Sequence, residues 1–130
     1  DNITFDGKGY IIVGNYSGSG IEISNQKNII IKNLTIGNFY YGIQFYAVPS
    51  DYALKVYDVS TIANDQDGIY IYKAENHTLL NINSSYNKNR GIYLYSAGSG
   101  NLTNIEANGN FGNGIEIYPY LEISIILKCR

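Results

Sequence analysis

The chain has no methionine, no tryptophan, one cysteine and two prolines in 130 residues. A lone cysteine, Cys129, excludes an internal disulfide framework and any metal cluster built on thiolates. Charge is also sparse: 15% of residues are ionisable Asp, Glu, Lys or Arg, and the formal net charge is −2. Such a chain has no basic footprint for a phosphate backbone, so nucleic acid is excluded as a partner. No apolar run approaches the roughly 18 residues that span a bilayer as a helix, and the most apolar stretch, Ile123 to Leu127, is strand-sized. Helix formers are few as well. The length suits a single domain covering 1–130.

What the chain does have is 14 Tyr, 14 Gly and 17 Asn, with isoleucine the leading aliphatic residue. Aromatic and β-branched side chains fit a pleated surface, while Gly and Asn supply turns. These residues recur with a period. Gly-Ile-x-apolar occurs at Gly20-Ile21-Glu22-Ile23, Gly42-Ile43-Gln44-Phe45, Gly68-Ile69-Tyr70-Ile71, Gly91-Ile92-Tyr93-Leu94 and Gly114-Ile115-Glu116-Ile117. Successive glycines are 22, 26, 23 and 23 residues apart, and the long interval holds Val48-Pro49-Ser50-Asp51, an outward loop by its composition. Aligned on the last four glycines, Asn stands four residues before (Asn38, Asn64, Asn87, Asn110). An aliphatic residue stands twelve before (Ile30, Val56, Leu79, Leu102), and Tyr four after (Tyr46, Tyr72, Tyr95, Tyr118).

A unit of this length cannot bury its own apolar face, so units must stack and share a core. Leucine-rich repeats are excluded by the Ile-led pattern and the lack of a helical stretch in any unit. The pattern predicts an all-β, single-stranded parallel β-helix of about five coils, spaced by about 4.8 Å. Glycine then marks a positive φ or a close backbone approach at the strand start. The following Ile points inward, the next residue outward, and Tyr lies outward at the strand exit. The Asn column is expected in a turn, in left-handed geometry, as a ladder between coils.

These five strands and the Asn column resemble the right-handed parallel β-helix repeats of the pectin-lyase-like superfamily. The NosD-type, carbohydrate-binding and sugar-hydrolysis group is the most similar. Ile3-Thr4-Phe5-Asp6-Gly7-Lys8-Gly9-Tyr10-Ile11-Ile12 is similar to the first coil of such domains, and Asn28-Ile29-Ile30-Ile31-Lys32-Asn33-Leu34-Thr35-Ile36 to their second strand pair. The resemblance implies an extracellular, cell-surface or periplasmic protein that handles polysaccharide, or a passive solenoid module. Copper, associated with NosD, finds little support in one His, one Cys and no Met, so no metal or other cofactor is expected.

Two constellations carry candidate chemistry. The outward columns hold Glu22, Gln44, Tyr70, Tyr93 and Glu116, then Tyr46, Tyr72, Tyr95 and Tyr118. Phenol rings combine an apolar face with a hydroxyl, which suits a sugar, and the same rings can stack on one another down the ladder. Tyr46, Tyr70, Tyr72, Tyr93, Tyr95, Tyr118 and Glu116 are therefore the glycan-binding candidates. The second set is Asp65 and Asp67 before Gly68, with Lys88 and Arg90 at the same offsets before Gly91. Lyases that the chain resembles use a basic side chain to abstract a ring proton, so these four residues are the catalytic candidates of the rival reading, a polysaccharide lyase, epimerase or hydrolase. The simpler reading is a pair of inter-coil ion pairs on an exposed turn. Two neighbouring carboxylates are too few for a calcium loop.

His77 lacks a partner nucleophile and reads as a solvated turn residue. Among the Asn-x-Ser/Thr sites, Asn15 and Asn76 are the most open glycosylation acceptors, lying in turn-rich segments. Residues 120–130 carry no Gly and no Asn, and read as an irregular tail or an incomplete coil. The chain opens at Asp1, and neither end shows a cap, so the expectation is a piece of a longer solenoid, partnered by neighbouring coils or by end-to-end self-association.

Overall fold

The computed structural model describes residues 2–47, 52–119 and 123–126, the last of these by backbone alone. The loop at 48–51, most of the 120–130 segment and Cys129 lie outside the described residues. Among the described residues every regular element is a strand: β1 (Ile3–Val13), β2 (Ser19–Ser24), β3 (Ile29–Gly37), β4 (Tyr41–Tyr46), β5 (Leu54–Ile62), β6 (Ile69–Tyr72), β7 (His77–Asn83), β8 (Ile92–Tyr95), β9 (Gly100–Glu106), β10 (Ile115–Tyr118) and β11 (Ile123–Ile126). Odd-numbered strands form one six-stranded sheet and even-numbered strands a five-stranded sheet. All described pairings are parallel, each strand bonding to its counterpart one coil away. Five coils of one even and one odd strand therefore follow β1, as the repeat predicts.

Alternation places the core. In β6 and β8, Ile69, Ile71, Ile92 and Leu94 point inward and are fully buried, while the tyrosines between them face out. They meet Ile31, Val56, Leu79 and Leu102 from the odd-numbered sheet, also fully buried. Identical residue types fall in register because consecutive coils are 23 residues apart over most of the chain, as in Ile69↔Ile92 and Leu79↔Leu102.

The long odd strands bend in their middle. Asn33, Asp58, Asn81 and Asn104 all take left-handed geometry, with φ of 57, 53, 56 and 53°, and the ladder register steps over them. Asn and Asp tolerate this conformation better than other side chains with a Cβ. Their amides are laddered: Asn81 donates to Asp58 Oδ1 and Asn104 to Asn81 Oδ1, both at 2.8 Å, and Asn33 donates to Asp6 Oδ1 at 3.1 Å. This second Asn column stands nine residues before Gly42 and ten before Gly68, Gly91 and Gly114. That recurrence was visible in the sequence and is the signal that would have revealed the bend.

The predicted Asn column holds for three of its four members. Asn64 and Asn87 are fully buried in the turn between the odd and even strands. Asn87 Oδ1 accepts from the backbone and side-chain nitrogens of Asn64, both at 3.0 Å, and Asn87 Nδ2 donates to Asn110 Oδ1 at 3.0 Å. Asn38 is not part of it. Gly37 pairs with Ile62, which places Phe39 in register with Asn64, and it is Phe39 N that donates to Asn64 Oδ1 at 3.0 Å. The turn after β3 is one residue shorter than its successors, so alignment on glycine slips by one there. The same slip makes Ile31, not Ile30, the partner of Val56. Left-handed geometry also falls one residue earlier than expected in the other coils, at Ala63, Tyr86 and Gly109.

The repeat glycines serve close approach and not positive φ, since none of the five lies in the left-handed region. A Cβ on Gly68 would run into Ser84 Oγ and lie 2.6 Å from Thr61 Oγ1 and 2.8 Å from Asn87 Nδ2. Thr61 and Ser84 are themselves buried and joined at 2.7 Å, so nothing there can yield without breaking a bond. Gly68→Ala is expected to lower the unfolding free energy by about 2 kcal/mol through overpacking. Urea denaturation checks it; an unchanged midpoint would show that the corner can relax.

Candidate functional site

The tyrosine face grows out of the alternation in the even-numbered sheet. Tyr46, Tyr72, Tyr95 and Tyr118 are the last residues of β4, β6, β8 and β10 and lie in register. A parallel in-register sheet sets like side chains one above another, and these rings stack accordingly. Ring centroids are separated by 4.7, 5.3 and 5.7 Å down the column, with interplanar angles of 8, 8 and 28°. A second column, Tyr41, Tyr70 and Tyr93, stacks at 5.7 and 5.3 Å. The columns touch through Tyr70–Tyr72 at 6.5 Å and Tyr93–Tyr95 at 5.9 Å. Tyr41 does not belong to the outward column by register, since Gln44 is the residue opposite Tyr70; its ring reaches across to cover the gap.

Stacking has a consequence for recognition. The flat faces of inner rings are occupied by their neighbours, leaving edges and hydroxyls toward solvent. A free ring face remains at Tyr46, which is 42% exposed. Above Tyr46 the register position is held by Ser24, which has no ring to cover it. Burial among the rings raises the Tyr70 phenol to about 12, with Tyr93, Tyr41, Tyr72 and Asp67 adding to the shift. The Tyr70 hydroxyl therefore stays neutral and can both donate and accept hydrogen bonds.

The charged candidates sit at the edge of this face. Lys88 Nζ lies 2.7 Å from Asp65 Oδ1. Arg90 grips Asp67 with Nε on Oδ1 at 2.9 Å and Nη2 on Oδ2 at 3.2 Å, and its backbone N donates to Oδ1 as well. Its Nη1 reaches Glu116 at 3.4 Å, and the guanidinium lies 3.6 Å from the centre of the Tyr93 ring. One arginine thus ties three coils together. Asp67 is 1% exposed, which corrects the picture of a pair on an open turn: the Asp67 carboxylate is buried under its partner.

This pairing works against base chemistry. The hydrogen bond and charge of Asp65 hold Lys88 above its ordinary range. Burial alone would lower Arg90, but the hydrogen bond and charge of Asp67, with Glu116 behind them, hold it higher than usual. A general base needs the opposite shift. Glu116 is also engaged by Asn113 Nδ2 at 3.0 Å, so both of its oxygens have partners.

Residues 19–130 match the profile described as the right-handed β-helix region. The chain belongs to that family. No curated protein and no solved structure matches the chain. The family and the coil geometry agree on architecture and leave chemistry to the site.

Elsewhere on the β-helix, His77 departs from expectation. It is the first residue of β7, 0% exposed, and occupies an inward position of the core. Gly100, its register partner in the next coil, supplies the room: a Cβ there would collide with the imidazole. Neither ring nitrogen has a hydrogen-bond partner of good geometry. Burial pushes its pKa down to about 4, with the Ala74 backbone opposing. Asn15 and Asn76 are both exposed. A shallow groove on the odd-numbered sheet, about 170 Å³, is lined by Asp58, Ser60, Asn81, Asn83, Asn104 and Glu106. Among the described residues no three His, Cys, Asp or Glu side chains converge as a metal site, and no helix is long and apolar enough to cross a membrane.

Proposed function

We propose that this β-helix is a binding module, not a catalyst, that presents the tyrosine face of the even-numbered sheet to polysaccharide outside the cell. The observation that carries the reading is the double column of stacked rings, with the Tyr70 hydroxyl held neutral and a free ring face at Tyr46. A glycan chain running along the solenoid would hydrogen-bond to the hydroxyls of Tyr70, Tyr72, Tyr93 and Tyr95 and stack a sugar on an end ring. An extracellular or surface location follows from the same reading, with Asn15 and Asn76 as open acceptors for N-linked sugar. The enzymatic alternative finds no free base in Lys88 or Arg90, each held charged by its carboxylate.

A glycan array tests this directly. The Tyr70→Ala, Tyr93→Ala, Tyr95→Ala triple variant is expected to bind at least about tenfold more weakly, the loss of three hydroxyl contacts at roughly 0.5–1.5 kcal/mol each. The corresponding Phe variant, which keeps the stack, separates hydroxyl contacts from a collapse of the face. Equal binding by wild type and both variants overturns the proposal.

A further inference from the structure

We propose that the tyrosine columns are an oxidative cross-linking site, where a one-electron oxidant of the peroxidase class joins tyrosines of successive coils as dityrosine. The inference is independent of glycan binding. Side chains that ordinarily absorb oxidising equivalents are almost missing: the chain has no Met, no Trp and one Cys, against 14 Tyr. Seven of those tyrosines form one connected array, Tyr41, Tyr70, Tyr93, Tyr95, Tyr72, Tyr46 and Tyr118, in which no step between neighbouring rings exceeds 6.5 Å. Tyr40 joins edge-on at 5.0 Å from Tyr41. The array reaches solvent at Tyr46, where a bulky oxidant has access.

The chemistry balances with hydrogen peroxide as the terminal oxidant. Each of two phenols gives one electron to the oxidant and one proton to solvent, leaving two phenoxyl radicals. A carbon–carbon bond forms between ring positions ortho to the two oxygens. The hydrogens on those carbons then move to the oxygens, restoring two phenols. Two electrons and two protons leave in all, and they reduce one peroxide to two waters.

Geometry selects the partners. Near-parallel rings 4.7 and 5.3 Å apart, as in Tyr46–Tyr72 and Tyr72–Tyr95, place the ortho carbons of one phenol beside those of the next. In a solution of about 1 µM chain, held neighbours at an effective concentration of millimolar or more favour coupling within the chain by about a thousandfold. The product bridges residues 23 to 26 positions apart in sequence, one coil to the next. Each bridge closes a coil covalently, as a disulfide would.

The test treats the dilute chain, in a Cys129→Ser background, with a peroxidase and hydrogen peroxide. Dityrosine emission, the mass of the intact chain and a map of linked peptides are then read together. The expected product is chain-sized, lighter by two hydrogens per bridge, with links between Tyr46 and Tyr72, Tyr72 and Tyr95, Tyr95 and Tyr118, or Tyr70 and Tyr93. Tyr70→Phe, Tyr72→Phe, Tyr93→Phe and Tyr95→Phe together keep the rings stacked and should remove that product. Tyr10→Phe, Tyr16→Phe and Tyr86→Phe, away from the columns, should leave it unchanged. Links that map to Tyr10, Tyr16 or Tyr86, or dityrosine found only in species larger than one chain, overturn the proposal. The wild-type peptide map decides this even if the fourfold variant fails to fold.

Discussion

Asn87→Ala lowers the unfolding free energy by about 4 kcal/mol, the sum expected when several buried polar groups lose their partner at once. Asn87 is the middle rung of the ladder. Its Oδ1 receives two donors from Asn64, and its Nδ2 serves Asn110 Oδ1 at 3.0 Å and the Thr61 carbonyl at 3.2 Å. Removing the amide leaves the Asn64 and Thr61 groups sealed from water, since Asn64, Asn87 and Thr61 are all 0% exposed. A leucine would restore the lost volume without restoring a single bond, so Asn87→Leu should fare no better. Asn110→Ala, at a less buried position, should lose roughly half as much because water can reach the vacated groups. Urea denaturation followed by far-ultraviolet circular dichroism measures all three. If Asn87→Leu proves as stable as wild type, the ladder is a by-product of packing and not a determinant of it.

The second large effect is on acid stability, through His77. The folded state holds its pKa down at about 4, below the ordinary histidine value of 6.5. The unfolded chain therefore binds the proton first, and stability falls as pH drops. The contribution of the neutral imidazole is fully present above about pH 6.5 and is lost progressively as pH falls, the loss reaching about 3 kcal/mol at pH 4. No charged group contributes to the shift, which comes from burial with the Ala74 backbone opposing. His77→Leu keeps an apolar group of similar size against Gly100 and removes the titration. Denaturation at pH 7.5, 5.5 and 4 should show wild type losing about 3 kcal/mol more than the variant across that range. The carboxylates titrate in both proteins and cancel in the difference. Parallel pH profiles would mean that His77 meets water in the native state.

How far the sequence reaches can be judged at particular residues. Gly-Ile-x-apolar announced the even strands because the side-chain period of two and the coil period of about 23 both leave their mark on residue type. The ion pairs of Asp65 with Lys88 and Asp67 with Arg90 followed from the same arithmetic, since equal offsets in successive units become neighbours one coil apart. The arithmetic failed where a turn changed length. One residue fewer after β3 displaced Asn38 and Ile30 from columns they seemed to share, and only the hydrogen-bond register shows Phe39 and Ile31 in those places.

Burial of polar side chains was the other blind spot. His77 stands in a stretch that reads as a turn, yet β7 begins at that residue and carries the ring inward. Nothing in its neighbours reveals the space that Gly100 leaves 23 residues later. Asp67 likewise looks like a surface carboxylate until Arg90 is laid over it.

Residue spacing alone carried the repeat, the all-β stacked architecture and which residues face out, because in a parallel solenoid each of these is periodic. Only the folded arrangement brought Tyr41 into the ring stack, sealed Asn64, Asp67, His77 and Asn87 from water and carried Arg90 on from Asp67 to Glu116. Those depend on angles and turn lengths between coils, and the spacing of residue types along one chain does not encode them.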